Sequence, residues 1–276
     1  MKKSFSVRNI TLSKEKLFLI AGPCVLENSN IGYEIAAALK EITEELHIPF
    51  IFKASYSKAN RTSQKGYRGP GLEEGLAQLQ KIQKELDVPV ISDIHCITEL
   101  DAACEVLDVL QIPAFLCRQT FLIEAVARTG KAVNIKKGQF LAPWDMKHVV
   151  EKVTAQGNHR VLVTERGAMF GYNNLVVDMR TFPVMSQMDC LVVFDGTHST
   201  QLPGAGQGET SGQREMVPYL VKSSVAAGCD GLFMEVHPRP EESPSDRSSI
   251  YPLDQVRSLL KTALCLYEIV RSDKKE

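Results

Sequence analysis

Residues 17–24 read Leu17-Phe18-Leu19-Ile20-Ala21-Gly22-Pro23-Cys24, an apolar run that breaks at a glycine and a proline and ends on a thiol. The run reads as a buried strand. After it comes Gly32 to Leu46, whose apolar residues recur at three- and four-residue spacing, and Pro49 then punctuates entry into a second run, Phe50 to Ala54. That is one βα unit, and the pattern repeats along the chain. Further strands are expected at Val90 to Asp93, Val109 to Ile112, Ala132 to Lys136, Arg160 to Thr164, Leu191 to Asp195 and Gly231 to Val236, with helical stretches such as Leu72 to Leu86 between them. Eight such units in about 250 residues fit an α/β fold of the (β/α)8 TIM-barrel type. A doubly wound open sheet is the rival. The first turn argues against it, because Ala21-Gly22-Pro23-Cys24 is not a G-x-G-x-x-G cradle and no G-x-x-x-x-G-K-[ST] occurs. Upstream, Phe5 and Val7, then Ile10 and Leu12, alternate with polar neighbours and predict a short N-terminal β-hairpin outside the barrel. No linker or repeat divides the chain, so a single barrel domain over residues 1–276 is expected, with a long polar loop from Pro238 to Pro252.

Composition narrows the function classes. The chain has 276 residues, 44% of them apolar, with 32 basic against 33 acidic side chains. A chain of this size buries roughly 75% of its unfolded surface, enough for one large core without staples. Near-zero net charge, with no dense basic run, argues against nucleic acid as a partner. No apolar run reaches transmembrane length and Met1 to Thr11 lacks the apolar core of a signal peptide, so a cytoplasmic protein without a membrane partner is expected. The seven cysteines are scattered, without C-x-x-C, and suggest neither a disulfide framework nor a zinc finger.

Barrels place chemistry at the carboxyl ends of their strands. Here the expected strands end, in order, on or beside Cys24, Lys53, Asp93 with His95, Gln111, Lys136, Arg166, Asp195 with His198, and Glu235 with His237. Two subsets separate. Lys53, Lys58, Arg61, Arg68, Arg118, Lys136 and Arg166 form a cationic set suited to phosphate or carboxylate; so many cations at one mouth call for an anionic ligand. Solvated surface cations are the bland alternative, and it fits Lys58 and Arg68 better than Lys53 or Lys136. The second subset, Cys24, His198, Glu235 and Asp246, offers a thiolate, an imidazole and two carboxylates, donors for a borderline divalent ion such as Zn, Fe, Mn or Co. A core cysteine with satisfied polar groups is the competing account of the same four.

Whole segments carry more. Phe52-Lys53-Ala54-Ser55 with Lys58-Ala59-Asn60-Arg61-Thr62-Ser63, Tyr67-Arg68-Gly69-Pro70-Gly71, Gln111-Ile112-Pro113-Ala114-Phe115-Leu116 with Arg118-Gln119-Thr120, Asn134-Ile135-Lys136-Lys137, Glu165-Arg166-Gly167-Ala168 and Phe170-Gly171-Tyr172-Asn173-Asn174-Leu175 together resemble the 3-deoxy-D-manno-octulosonate 8-phosphate synthase family, from about residue 17 to 260. The resemblance implies a barrel enzyme that condenses phosphoenolpyruvate with D-arabinose 5-phosphate and water, releasing inorganic phosphate, on the route to bacterial lipopolysaccharide. It places Lys136 and Arg166 on the phosphoenolpyruvate phosphate and Lys53 and Lys58 by its carboxylate. It places Asn60, Arg61 and Thr62 at the sugar phosphate, where Thr62 stands for the family's usual Ser. Asp93, His95 and Gln111 are candidate sugar or water contacts. Arg118 resembles a residue that reaches the phosphate from a neighbouring subunit, which implies a homotetramer.

Ala21-Gly22-Pro23-Cys24 and Asp195-Gly196-Thr197-His198-Ser199 followed by Gln201-Leu202-Pro203-Gly204 resemble the family's metal-dependent form, whose other form carries Asn in place of the cysteine. The resemblance thus implies one divalent metal ion per subunit held by Cys24, His198, Glu235 and Asp246. Arg247 stands where the family commonly has Gly, and a side chain there is expected to tilt the loop under Asp246. Cys24 and His198, with Lys136 and Arg166, are the expected catalytic residues. The nearest rival activity is the related condensation with erythrose 4-phosphate, whose enzymes typically read Lys-Pro-Arg-Thr where this chain reads Lys58-Ala59-Asn60-Arg61. A phosphosugar-binding barrel without turnover is the reading from another class.

Overall fold

Eight parallel strands close on themselves in the computed structural model, which describes residues 3–27, 29–59, 66–205 and 211–272. The barrel strands are β1 (Phe18–Gly22), β2 (Phe50–Lys53), β3 (Val90–Asp93), β4 (Val109–Ile112), β5 (Ala132–Lys136), β6 (Val161–Glu165), β7 (Leu191–Asp195) and β8 (Gly231–His237). Each pairs with its sequence neighbour, and β8 returns to β1, so the ring has no edge. Helices α1 (Ser29–Glu45), α2 (Leu72–Leu86), α3 (Leu100–Val106), α4 (Thr120–Arg128), α5 (Met146–Thr154), α6 (Thr181–Met185), α7 (Val217–Ala226) and α8 (Leu253–Ser272) follow the strands in turn. The open-sheet rival is therefore excluded. β6 runs one residue beyond its expected end because register with β7 sets Glu165 opposite Phe194.

Two apolar layers result from the two-residue period of the strands. Alternate side chains point outward into one cluster with the helices, among them Leu19, Phe52, Val133, Val163 and Val192. The others point inward: Phe18, Ile20, Ile51, Ile91, Val109, Ala132, Leu162, Leu191, Val193 and Phe233 fill the barrel. The expected hairpin is present, Ser4–Val7 paired antiparallel with Ile10–Ser13. Its Val7 and Leu12 join the inner cluster and so plug the amino-terminal end. With that end closed by hydrocarbon, the barrel opens only at the carboxyl ends of its strands.

The segment Pro238–Pro252, expected as a long polar loop, is packed into the fold. Ser243, Ser245, Ser249 and Ile250 are buried, and Tyr251–Pro252 pairs in parallel with Val236 and His237. Its serines are polar because they bond the fold's own backbone: Ser243 Oγ donates to the Ser245 carbonyl and Ser249 Oγ to that of Asp246. Among the described residues, no helix is long and apolar enough to cross a membrane.

Candidate active site

Stepping two residues along each strand from the inner apolar layer leads to the polar ring. Ile51 gives Lys53, Ile91 gives Asp93, Val109 gives Gln111, Val193 gives Asp195 and Phe233 gives Glu235. On β5 and just past β6 the same parity takes Ala132 through Asn134 to Lys136, and Leu162 through Thr164 to Arg166. All nine polar residues reached in this way are buried. Gly22, opposite Glu235 on β1, must be glycine, because a Cβ there would lie 1.9 Å from the Lys53 carbonyl oxygen.

The cations at this mouth are matched by carboxylates of the barrel itself, which revises the expectation that they need an anionic ligand merely to coexist. Lys53 Nζ donates to Glu235 Oε1 at 2.5 Å and to the Cys24 carbonyl at 3.1 Å. Lys58 Nζ lies 3.7 Å from the same Glu235 oxygen, with its side chain only 11% exposed, so it is no solvated surface cation. Arg68 is exposed, as the bland reading had it. Lys136 Nζ donates to Asp195 Oδ2 at 2.5 Å and sits 3.0 Å from the Phe233 ring centroid. Burial pulls Lys136 down to about 8 against the opposing pull of Asp195. For Glu235, burial is overcome by His198, Lys53 and Lys58, which hold the carboxyl well below its usual range.

Arg166 differs. It is buried, its Nη2 donates to Gln201 Oε1 at 2.7 Å, and its Nη1 has no hydrogen-bond partner among the described residues. A buried guanidinium with a spare donor at a barrel mouth is built to receive an acceptor from outside the chain. Gln201 continues the contact, since its Nε2 donates to Asp246 Oδ1 at 3.0 Å. One amide thus ties the anion-seeking arginine to a candidate metal ligand.

The donor set fits a divalent ion. Cys24 Sγ, a Glu235 oxygen and an Asp246 oxygen all lie within 4.8 Å of one another. Cys24 Sγ is 3.2 Å from Asp246 Oδ2 and 3.1 Å from Ser245 Oγ. Burial, then Glu235, push the thiol well above its ordinary value, so without a bound cation it keeps its proton. His198 stands at the edge of this group, with Nε2 3.5 Å from Glu235 Oε2 and Nδ1 2.7 Å from Asp195 Oδ2. A carboxylate on one imidazole nitrogen leaves the other turned to a metal, an arrangement common behind histidine ligands. Arg247 does not displace its neighbour: Asp246 adopts a left-handed backbone (φ 50°), the exposed Arg247 gives its carbonyl to Arg214, and the Asp246 carboxylate stays on Cys24.

Of the other expected residues, Asp93 accepts from Ser55 Oγ at 2.5 Å and from Gln111 Nε2 at 2.6 Å. His95 is held by Glu99, whose Oε2 accepts the His95 backbone N–H at 2.8 Å and the Tyr56 hydroxyl at 2.6 Å. Arg118 is exposed beyond β4. Asn60, Arg61 and Thr62 lie outside the described residues. The residues that spacing alone did not single out are Asp195, as the link between Lys136 and His198, and Gln201. The Asp195-x-x-His198 spacing within one tight turn was the available signal for the first. Gln201 was marked only as part of the segment Gln201-Leu202-Pro203-Gly204 that carries the family resemblance.

A closed (β/α)8 barrel with buried lysine, arginine and carboxylate side chains around an open mouth, and with a metal-competent donor group, defines a class of enzymes acting on anionic small molecules. A family model described as the DAHP synthetase I family matches residues 5–270, and this chain belongs to that family. Among curated relatives, the 2-dehydro-3-deoxyphosphooctonate aldolase of Alkalilimnicola ehrlichii is 56% identical over 256 residues, 92% of either chain. The protein of the same name from Geobacter metallireducens is 53% identical over 272 residues, 98% of this chain and all of that one. That of Methylococcus capsulatus is 55% identical over 257 residues, 93% of this chain and 90% of the relative.

Proposed function

We propose that this chain is a 3-deoxy-D-manno-octulosonate 8-phosphate synthase, joining phosphoenolpyruvate, D-arabinose 5-phosphate and water into the eight-carbon 3-deoxy acid phosphate with release of inorganic phosphate. The observation that carries this reading is the agreement, along nearly the full length of both chains, with relatives named 2-dehydro-3-deoxyphosphooctonate aldolase. The family description alone leaves the sugar open; these relatives and the Lys58-Ala59-Asn60-Arg61 segment favour the pentose over erythrose 4-phosphate.

In the reaction, the methylene carbon of phosphoenolpyruvate attacks the aldehyde carbon while water adds to the neighbouring carbon, and the resulting tetrahedral centre expels phosphate. No covalent bond to the protein forms. Lys136 and the spare donor of Arg166 hold the phosphate. Lys53, with two of its three donors used on Glu235 and Cys24, has one left for the carboxylate, beside Lys58. Asp93 accepts from a sugar hydroxyl, and holding the reactants together removes several kcal/mol of barrier. His198 keeps one proton on Nδ1 against Asp195, leaving Nε2 free to face the donor group. Cys24, Glu235 and Asp246, with His198 beside them, would hold a divalent ion, which would supply Lewis acidity. Arg118 and its exposed sequence neighbours Phe115 and Phe121 suit a subunit contact, and the reading includes a homotetramer working in the cytoplasm, on the route to lipopolysaccharide.

Phosphate release from phosphoenolpyruvate, assayed with each aldose phosphate in turn, tests the reading. Turnover with arabinose 5-phosphate is expected to exceed that with erythrose 4-phosphate. The reverse order would reassign the sugar, and binding of both without phosphate release would make the chain a non-catalytic phosphosugar barrel. Gln201→Leu is expected to weaken Mn binding by about tenfold and to raise KM for phosphoenolpyruvate, since it frees both Arg166 and Asp246. Calorimetric titration of the variant with Mn checks the first effect independently of turnover.

A further inference from the structure

A row of buried polar side chains runs around half the barrel, beneath the reactive ring. It begins at Ser55 after β2, passes through Asp93 on β3, Gln111 on β4 and Asn134 on β5, and ends at Thr164 on β6. Ser55, Asn134 and Thr164 have no exposure and Gln111 has 2%, whereas Asp93 has 8%. Asp93 is thus the member open to the mouth.

Every bond in the row points toward Asp93. Burial disfavours its charge, but Lys53, Lys58 and His95 outweigh that and keep the carboxyl well below its usual range. A carboxylate can only accept, so the amide facing it must offer its NH2 group, and Gln111 Nε2 donates to Asp93 Oδ1 at 2.6 Å. Gln111 then has only its oxygen for the next strand, where Asn134 Nδ2 donates to it at 2.8 Å. Asn134 in turn keeps its oxygen for Thr164, whose Oγ1 donates at 2.7 Å. Turning the Asn134 amide over would set its oxygen against that of Gln111, both buried away from the surface. With one donor on each oxygen, Asp93 has lone pairs left for hydroxyl groups entering from the mouth.

We propose that Asn134 and Thr164 are positioning residues that lock the Gln111 amide and, through it, hold Asp93 as an acceptor for a hydroxyl of the aldose phosphate. The inference rests on the proposed condensation and deepens it. Neither residue touches substrate; both act through Gln111, on the sugar half of the site and not on the phosphoenolpyruvate half.

The test is a set of near-isosteric variants, each assayed for kcat and for KM of both substrates, with thermal melting alongside. Asn134→Asp replaces the required donor by an acceptor and is expected to raise KM for arabinose 5-phosphate about tenfold, the cost of one misdirected buried hydrogen bond. Thr164→Val, which leaves the Asn134 oxygen unsatisfied, is expected to raise it about fivefold, and Thr164→Ser to stay within about twofold of wild type. KM for phosphoenolpyruvate should stay within about twofold throughout, a split that general loosening of the barrel would not produce. The proposal is overturned if Thr164→Val leaves the sugar KM unchanged, or if both KM values rise together in step with the loss of melting temperature. Should Asn134→Asp fail to fold, Thr164→Val against Thr164→Ser decides alone. Absence of turnover with arabinose 5-phosphate in the wild type would instead defeat the proposed reaction.

Discussion

Replacing Lys136 by methionine is expected to lower kcat/KM for phosphoenolpyruvate by about two to three orders of magnitude, the usual cost of deleting one preorganised charge from a water-excluded site. Methionine keeps the length and the contact with Phe233 but takes the ammonium from Asp195, which among the described residues then keeps the His198 ring and the Thr197 and His198 backbone and hydroxyl donors. The pH dependence separates this from a packing effect. Burial pulls Lys136 down to about 8, and a lysine is charged below its pKa, so the clamp is complete near pH 7 and is lost as pH rises through that value. kcat/KM, which reports the free enzyme, should therefore fall on the basic side with a midpoint near 8. In Lys136→Arg the guanidinium stays charged throughout, and the fall should move to higher pH even if the maximum rate drops. A basic limb unchanged in Lys136→Arg would assign the titration to another group.

Removing metal is the second large effect. Exhaustive chelation of the wild-type protein is expected to lower phosphate release by about a hundredfold or more, the several kcal/mol a Lewis acid contributes, and Mn, Co or Fe to restore it. Cys24→Asn should leave partial turnover that chelators do not touch. The reason lies in the thiol's surroundings. A buried sulfur beside Glu235 and Asp246 gains nothing by ionising unless a cation arrives, whereas a carboxamide is neutral at every pH and can donate to Asp246. Elemental analysis with the phosphate-release assay decides the matter, and full activity after chelation would remove the metal.

Much of the fold was legible because burial on both faces forces strands to be apolar runs. The expected bounds of β3, β4, β5 and β7 agree with those observed. The inward packing of segment 238–252 was not legible, for a related reason. Composition reports polarity, and cannot say whether a serine is polar toward water or toward the backbone that Ser243 and Ser249 bond. Lys58 ends no strand, and only the fold brings it to Glu235.

The chain's own order of residues determined the eightfold alternation, the parity that turns Lys53, Asp93, Gln111, Lys136, Arg166, Asp195 and Glu235 to the same side of the wall, and the chemical types available there. Both follow from local rules: a two-residue period, and apolar runs that end where polar groups begin. Tertiary structure alone decided the pairings. Lys53 with Glu235 joins residues 182 positions apart, and Cys24 with Asp246 joins residues 222 apart. Which cation meets which carboxylate, and that Arg166 keeps a donor unspent among the described residues, depends on barrel closure and strand register, which no local pattern encodes.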